Sequence, residues 1–589
     1  MTPQEFYTQE KQDQEFHLGQ ANRKLNISSF IRLIVFLLAV YGVYYFFDEF
    51  RIAAVIALAG IAIFLFLVSR HTDLKYDRDK IKELVELNAL ELRVLDRQFT
   101  NLPSGKEFDE PLHAFSQDID LFGKGSFFQY LNRTSLKEGA IRLAGILTEN
   151  SIDGIKKKQD AIKELTGKVK WRQEFTAVAK LVKTETPSSQ VLNWFQNYKP
   201  FVPGVMRWLP RVFSAISLLI IIGYAMDYVT GMQLFLWLLA GLLTTGIYFK
   251  RVNMLSESVN RVQDTFHQYH QLLGLIENNN FTSSLLVEKK ELINTGTTKA
   301  SRLSKKFSKA IDSLEQRNNF LIGFLLNGFM LWDLRQSYKL EQWIVQNHQH
   351  VNNWFEIIEF IDAYNTLGNF AFNHPDYVYP DINPKQHIIN AKDLSHPLLD
   401  PKKRIDNDLV IDNEQFFIIT GANMAGKSTF LRTVSLQIVM ANIGLPVCAS
   451  HCEYSPIKLI TSMRTTDSLS EDESYFYSEL KRLQYIVGEI KNDKYFIILD
   501  EILKGTNSTD KAIGSRKFIQ KLIKSRSTGI IATHDLSLCE VAEELPQVEN
   551  HYFDAEIIND ELHFDYKFKD GICQNMNASF LLKKMNIVD

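Results

Sequence analysis

Four stretches of the chain drop the polar positions that a surface helix or half-buried strand would keep. Residues 29–47 (SFIRLIVFLLAVYGVYYFF) carry a single charge, Arg32, and residues 52–68 (IAAVIALAGIAIFLFLV) carry none; only Asp48, Glu49, Phe50 and Arg51 lie between them. A second pair follows at 213–229 (FSAISLLIIIGYAMDYV) and 232–249 (MQLFLWLLAGLLTTGIYF), separated by Thr230 and Gly231. At about 1.5 Å per residue, helices of this length just reach across a hydrocarbon layer of ~30 Å. A helix in a soluble core normally keeps a polar face, and these show little of one. The pattern predicts four transmembrane helices in two hairpins. Arg23, Lys24, Arg70 and Lys75 flank the first hairpin, and Arg211, Lys250 and Arg251 the second, whereas the turns are poor in basic residues. Positive charge stays inside. The expectation is an integral protein of the inner (plasma) membrane, with the turns outside and both termini cytoplasmic. Asp227, alone near a boundary, reads as interfacial, and residues 1–26 lack the organisation of a cleavable signal.

Elsewhere the apolar period is mostly helical. Residues 73–95 predict a helix leaving the membrane, and 120–200 and 253–371 continue as amphipathic helices. Past 372 the pattern changes to short apolar runs, 416–420 (FFIIT), 495–499 (YFIIL) and 529–533 (GIIAT), which predict buried parallel strands. The expected division is a cytoplasmic segment at 1–28, a transmembrane hairpin at 29–68, a helical linker at 69–119, a helical core at 120–212, a second hairpin at 213–249, a second part of the core or lever at 250–371, and an α/β domain at 372–589.

Composition narrows the class without naming it. The 589 residues are 45% hydrophobic, 23% charged and 12% aromatic, near the globular average, which excludes a low-complexity or collagenous chain. Four cysteines are too few for a disulfide framework. With 66 basic against 69 acidic residues the net charge is -3, so any surface for nucleic acid must be local. One such patch exists: Lys299, Arg302, Lys305, Lys306 and Lys309 recur at helical spacing without an intervening acid. It suits phosphate, of nucleic acid or of lipid headgroups. Cys448, His451 and Cys452 are close together, but no second pair at zinc-site spacing follows.

The sharpest chemistry follows the strand at 416–420. Gly421, Ala422, Asn423, Met424, Ala425, Gly426, Lys427, Ser428 and Thr429 spell G-x-x-x-x-G-K-[ST] between a strand and a helical pattern. Glycines let backbone N–H groups curl round phosphate at a helix N-terminus, Lys427 reaches the terminal phosphates, and the Ser428 hydroxyl suits Mg²⁺. The strand at 495–499 delivers Asp500 as a second Mg²⁺ contact and Glu501 to orient or deprotonate water; the strand at 529–533 delivers His534 toward the γ-phosphate. These residues predict a P-loop ATPase of ABC type, with ATP and Mg²⁺ as its ligands and Glu501, His534 and Lys427 as catalytic groups.

The motif strings resemble one P-loop family closely. Gly421-Ala-Asn-Met-Ala-Gly-Lys-Ser-Thr, Asn442-Ile-Gly-Leu-Pro-Val, Ser474-Tyr-Phe-Tyr-Ser-Glu-Leu, Asp500-Glu-Ile-Leu-Lys-Gly-Thr and Ala532-Thr-His-Asp are similar to those of the MutS mismatch-repair ATPases. Upstream, Ser395-His396-Pro397 and 127–165 resemble the domain's entry and the start of the family's helical core. The resemblance implies a head-to-head ATPase homodimer, Ser474 reaching in trans to the partner's γ-phosphate, residues 507–510 at the subunit junction, and ATP binding that sets the angle of long levers. It differs at Ala422, where the family usually has Pro, at Arg404, near the place of an adenine-stacking aromatic, and at Ser470-Glu-Asp-Glu, where a Gly-Arg pair is common. No counterpart of the mismatch-reading domain is seen; Phe108-Asp109-Glu110 spells its tripeptide in a loop-like segment.

The expected function is therefore a membrane-anchored, dimeric ATP-driven switch that binds DNA, mismatched or branched, in repair or recombination. The alternative is a membrane remodelling, transport or scaffold ATPase that binds no DNA; no Leu-Ser-Gly-Gly-Gln transporter signature precedes Asp500.

Overall fold

The structure, a computed structural model, describes residues 1–181, 187–294, 296, 298–383, 387–422, 424–464, 475–558 and 561–574. The first predicted hairpin lies within two much longer helices. Helix α1 (Pro3–Tyr45) starts from a capping box, with the Thr2 hydroxyl accepting from the Glu5 N–H and the Glu5 carboxylate from the Thr2 N–H. It turns over residues 46–49 into α2 (Phe50–Leu95), which carries the predicted helix at 73–95 as one rod. The apolar halves of both are largely exposed, and in the polar halves a few residues, Tyr7, Glu10 and Leu25 of α1 and Leu87, Asn88, Glu91 and Val94 of α2, are buried. At the start of α1, Tyr7 is fully buried and its hydroxyl donates to Asn373 at 2.8 Å. Toward the end of α2, Glu91 accepts from the guanidinium of Arg133 at 2.7 Å, with both side chains under 10% exposed.

The helical core follows as α3 (Phe127–Leu131), α4 (Lys137–Thr148), α5 (Ile155–Gly167), α6 (Val169–Lys180) and α7 (Ser188–Asn197). Phe108 of the Phe-Asp-Glu tripeptide packs edge-on against Phe122 and Phe128, so it serves this core. The second hairpin is α8 (Leu209–Ala225) and α9 (Gly231–Gly246). These helices have 17 and 16 residues, about 26 and 24 Å; α8 is displaced toward the N-terminus from the predicted 213–229, and α9 is shorter than the predicted 232–249. By length and composition two helices among the described residues, α1 and α2, are long and apolar enough to cross a membrane, or three if α9 and the following helix, bent by 63°, count as one span, against the four expected. The break falls at residues 247–248, where the chain passes into α10 (Phe249–Asn278).

Beyond it come α11 (Ser284–Glu291), α12 (Ala300–Glu315), α13 (Phe320–Met330) and α14 (Trp332–Asn373). The long α10 and α14 sandwich α12 through buried Phe266, Phe307, Trp343 and Phe355. Because Ala300, Phe307, Ile311 and Leu314 take the inward face of α12, Arg302, Lys305, Lys306 and Lys309 are left exposed outside. Helix α13 falls in the stretch expected to be amphipathic helix, but it carries no charge and packs against α8 and α9.

The last domain has two sheets. The smaller, in order β1 (Asp381–Ile382), β5 (His451–Tyr454), β2 (His387–Leu394), β3 (Asn407–Asp412), precedes the phosphate loop and is partly antiparallel. The larger takes β4 (Phe416–Gly421), β6 (Lys458–Ser462), β7 (Tyr495–Asp500), β8 (Thr528–Ala532), β9 (Val548–Phe553) and β12 (Lys569–Asp570) in the order β12-β9-β4-β8-β7-β6. Its strands are parallel except for edge strand β12. Helices α15 (Lys427–Asn442), α16 (Tyr475–Glu489) and α17 (Ser508–Lys524) follow β4, β6 and β7. Short α18 (Val541–Glu544) precedes β9, and β10 (Ala555–Ile558) pairs with β11 (Glu561–Phe564) as a hairpin.

Candidate nucleotide-binding site

Strand β4 is buried along its whole length, and its neighbours β8 and β7 run parallel, so the carboxyl ends of all three face the same crevice. Gly421 closes β4 at φ +147°, where an added Cβ would sit 2.5 Å from the Phe553 carbonyl oxygen. Gly426, at φ +108°, caps α15, and Met424 stands out exposed between them at φ +68°. Ala422 and Ala425 are buried beneath the loop, while Ser428 and Thr429 lie exposed at the helix N-terminus. Asn423 and Ser474, both expected at the site, lie outside the described residues.

The buried Lys427 ammonium folds back to donate to the carbonyls of Gly421 at 2.7 Å and Ala422 at 2.9 Å. Burial lowers its pKa, opposed by the nearby Asp500 and Glu501 carboxylates. The Ser428 hydroxyl donates to Asp500 Oδ2 at 2.6 Å, so the two predicted Mg²⁺ donors already meet. Both are hard oxygen donors, and a site of one hydroxyl and one carboxylate leaves room for phosphate and water, as Mg²⁺ prefers.

Glu501 and His534 also meet, at 2.8 Å between Oε1 and Nε2. The hydrogen bond from His534 holds the Glu501 carboxyl down to about 2, with Lys504 and Lys511 adding to it against the effect of burial. His534 Nε2 also lies 3.4 Å from Lys427 Nζ, a loose contact. Glu501 sits at φ +52°, an uncommon backbone for a side chain of this size and a mark of functional sites.

Sequence reasoning missed the support for that loop. Glu479 of α16 is 3% exposed, and its carboxylate accepts the backbone N–H groups of Leu503 and Lys504, the latter at 3.0 Å. Gly505 lets the loop come close: a Cβ there would lie 2.7 Å from Phe476 Cβ. Asn507 then caps α17 through the Asp510 N–H at 2.9 Å.

Beside the phosphate loop opens a cavity of about 360 Å³, lined among others by His396, Arg404, Thr429, Phe430, Phe553 and Tyr566. The Arg404 guanidinium is held there by Asp406 at 3.0 Å and donates to Cys448 Sγ. Of the three Phe and Tyr rings lining it, Phe430 and Phe553 are buried and Tyr566 is exposed, 3.1 Å from where a Gly426 Cβ would be. No local motif marks it. The predicted basic cluster lies on α12, apart from this site; Arg302, Lys305, Lys306 and Lys309 make no ion pair among the described residues, and Lys299 donates to Asn278. Among the described residues no group of three or more His, Cys, Asp or Glu could hold a metal, so Cys448, His451 and Cys452 form no zinc site.

A central parallel strand, a glycine-bounded loop on a helix N-terminus, and an Asp and Glu at the tip of the second strand over define a P-loop nucleotide-binding domain. Residues 417–584 match the family model MutS domain V. Human MutS protein homolog 4 is 30% identical over 263 residues, covering 41% of this chain and 28% of its own. DNA mismatch repair protein MutS of Finegoldia magna is 29% identical over 294 residues, covering 48% and 32%, and that of Thermodesulfovibrio yellowstonii 32% over 231 residues, covering 37% and 26%. Through this domain the chain is similar to the MutS family. It spans less than a third of the length of these curated relatives.

Proposed function

We propose that the chain is a membrane-anchored MutS-type ATPase that hydrolyses ATP as a dimer and uses the bound nucleotide to switch its long helices. The observation that carries this reading is the joint placement of Lys427, the Ser428–Asp500 pair and the Glu501–His534 pair round one phosphate loop. Lys427 releases its two carbonyls to take the terminal phosphates, and the loop N–H groups hold the chain of phosphates at the α15 N-terminus. Ser428 and Asp500 would hold Mg²⁺, which when bound neutralises phosphate charge. A carboxylate held near 2 is a poor proton acceptor, so Glu501 gains basicity only as His534 leaves it for the γ-phosphate; the pair is a latch that ATP opens. On the other side of the loop, Tyr566 stacks on the adenine, in place of an aromatic near Arg404.

For anchoring, the exposed apolar halves of α1 and α2 and the basic residues at their inner ends support an integral protein of the inner (plasma) membrane with a cytoplasmic ATPase domain. DNA is the partner proposed for the exposed basic face of α12, and the relatives' role in mismatch repair supports it. An ATPase that works on the membrane without DNA is the second reading, favoured by the apolar surface that α8, α9 and α13 gather at one end of the long helices.

Two measurements test these statements. Lys427→Ala abolishes ATP binding and Glu501→Gln binds ATP without turning it over; normal hydrolysis by either refutes the ATPase. Binding to homoduplex, mismatched and branched DNA across a salt series, with Arg302, Lys305 and Lys306 reversed to Glu, tests the partner. A DNA affinity that falls with salt and is lost on reversal supports DNA, whereas no binding at any salt leaves the membrane reading.

A further inference from the structure

We propose that α13 is a third lipid-embedded element, a short helix that lies in the hydrocarbon layer beside the α8–α9 hairpin without crossing it. The inference rests on the anchoring proposed above and extends it to a segment too short to have been read as a span. Residues 320–330 (FLIGFLLNGFM) contain no charge, yet Phe320 and Leu321 are 79% and 70% exposed, and Ile322, Phe324 and Leu325 are exposed as well. A contiguous apolar patch of this kind marks a surface that something other than water covers.

What covers it follows from the other face. Gly323 and Gly328 are buried, and the backbone of α13 lies directly on α9: a Cβ at Gly241 would come within 2.2 Å of the Gly328 carbonyl oxygen, and one at Gly328 within 2.8 Å of Leu238 Cγ. Small residues that bring helix backbones together are how helices associate in lipid. The exposed face of α13 is thus continuous with Leu236, Leu239 and Leu243 of α9 and with Leu218 and Leu219 of α8, also exposed. One apolar medium must cover all three helices.

The ends of α13 show how it enters. Arg317 before it and Asp333 after it pair at 3.0 Å, with side chains 9% and 2% exposed, which brings the two flanks to the same level. The Arg317 guanidinium also lies 5.6 Å from the ring of Phe249, at the foot of the second hairpin. Leu331, at φ +50°, reverses the chain, and the Asp333 N–H is satisfied by Asn327 Oδ1 at 2.9 Å. Eleven residues reach about 16 Å, roughly half of a ~30 Å layer. The flanks of α13 meet in one buried ion pair, and eleven helical residues are too few to span the layer, so the helix sits in the hydrocarbon without crossing it.

The test uses the full-length protein reconstituted in phosphatidylcholine–phosphatidylglycerol vesicles, labelled with an environment-sensitive fluorophore at one introduced cysteine. The four native cysteines are buried. Leu325→Cys and Leu321→Cys report on α13, Leu58→Cys on the span in α2, and Lys494→Cys on the aqueous surface of the ATPase domain. Expected is quenching of the α13 and Leu58 probes by doxyl-labelled lipid, and of the Lys494 probe by iodide. Iodide quenching at both α13 positions, with Leu58 quenched by lipid, overturns the inference and leaves the anchoring intact. Iodide quenching at Leu58 as well removes both. Quenching of the α13 probes by neither agent means that protein covers them and likewise overturns the proposal.

Discussion

Replacing Glu479 by Ala removes one carboxylate from a buried place 24 positions away in sequence from the loop it holds. Two backbone donors then lose their acceptor, the N–H of buried Leu503 and that of exposed Lys504, and only the first is out of reach of water. At about 1–3 kcal/mol for a buried donor left unsatisfied, the loop loses about 1–3 kcal/mol of its local stability through Leu503, because water can replace the acceptor at Lys504. That loop begins at Glu501 and includes Leu503 at φ +60°, so two residues in left-handed backbone relax once the tether is gone. Glu501 no longer meets His534 in a defined geometry. If only about 1.4 kcal/mol of the loss reaches the barrier, turnover falls tenfold. Lys427 and the phosphate loop are untouched, so the KM for ATP stays within about twofold, which also shows that the domain is folded. Glu479→Gln keeps one acceptor and falls between. The assay is steady-state phosphate release, with hydrogen exchange over residues 501–506 as the structural readout. Wild-type turnover and unchanged exchange in the Ala variant would refute the tethering role.

Tyr566→Ala weakens ATP binding about three- to tenfold, the value of one stacked ring, and leaves turnover at saturating ATP unchanged; equal ATP affinity in an equilibrium titration would remove Tyr566 from the base site. Glu359 gives a pH signature: burial, with Glu138 nearby, pushes its carboxyl up to about 7, so the folded protein holds a proton that the unfolded chain has released. Stability from this group is present below about pH 4.5 and is lost as pH rises toward 7, by at most about 3 kcal/mol. Thermal unfolding of Glu359→Gln across this window loses that slope, and a slope equal to wild type would show that the group does not titrate there.

Local chemistry was legible in the sequence wherever a backbone shape depends on residues adjacent in the chain. The phosphate loop is such a case: Gly421 and Gly426 are required by their own φ values, and Lys427 and Ser428 follow on the same helix turn. Asp500, Glu501 and His534 were also readable, because a short apolar strand delivers its next residues to a strand tip. What could not be read depends on distance. Tyr566 reaches the site from 140 positions beyond Gly426, and Glu479 acts through backbone donors, which leave no pattern of side chains. The hairpins were visible as apolar runs, but where a helix ends is not: α8 and α9 stop short because the chain turns at Asp227 and bends after Gly246. An eleven-residue run such as α13 falls below any length test for a span, so only its packing on Gly241 exposes it.

The burial of Tyr7 against the end of α14 turns α1 into a ruler. On the proposed anchoring, the hydroxyl bonded to Asn373 marks a point beside the ATPase domain, and residue 29 marks entry into the bilayer. The 22 residues between them are continuous helix, about 33 Å. The nucleotide site is therefore held at a set height above the lipid, and whatever its movements act on must lie inside that gap or at its two faces. Lengthening the polar half of α1 by one turn would raise that height by about 5 Å without touching a residue of the site.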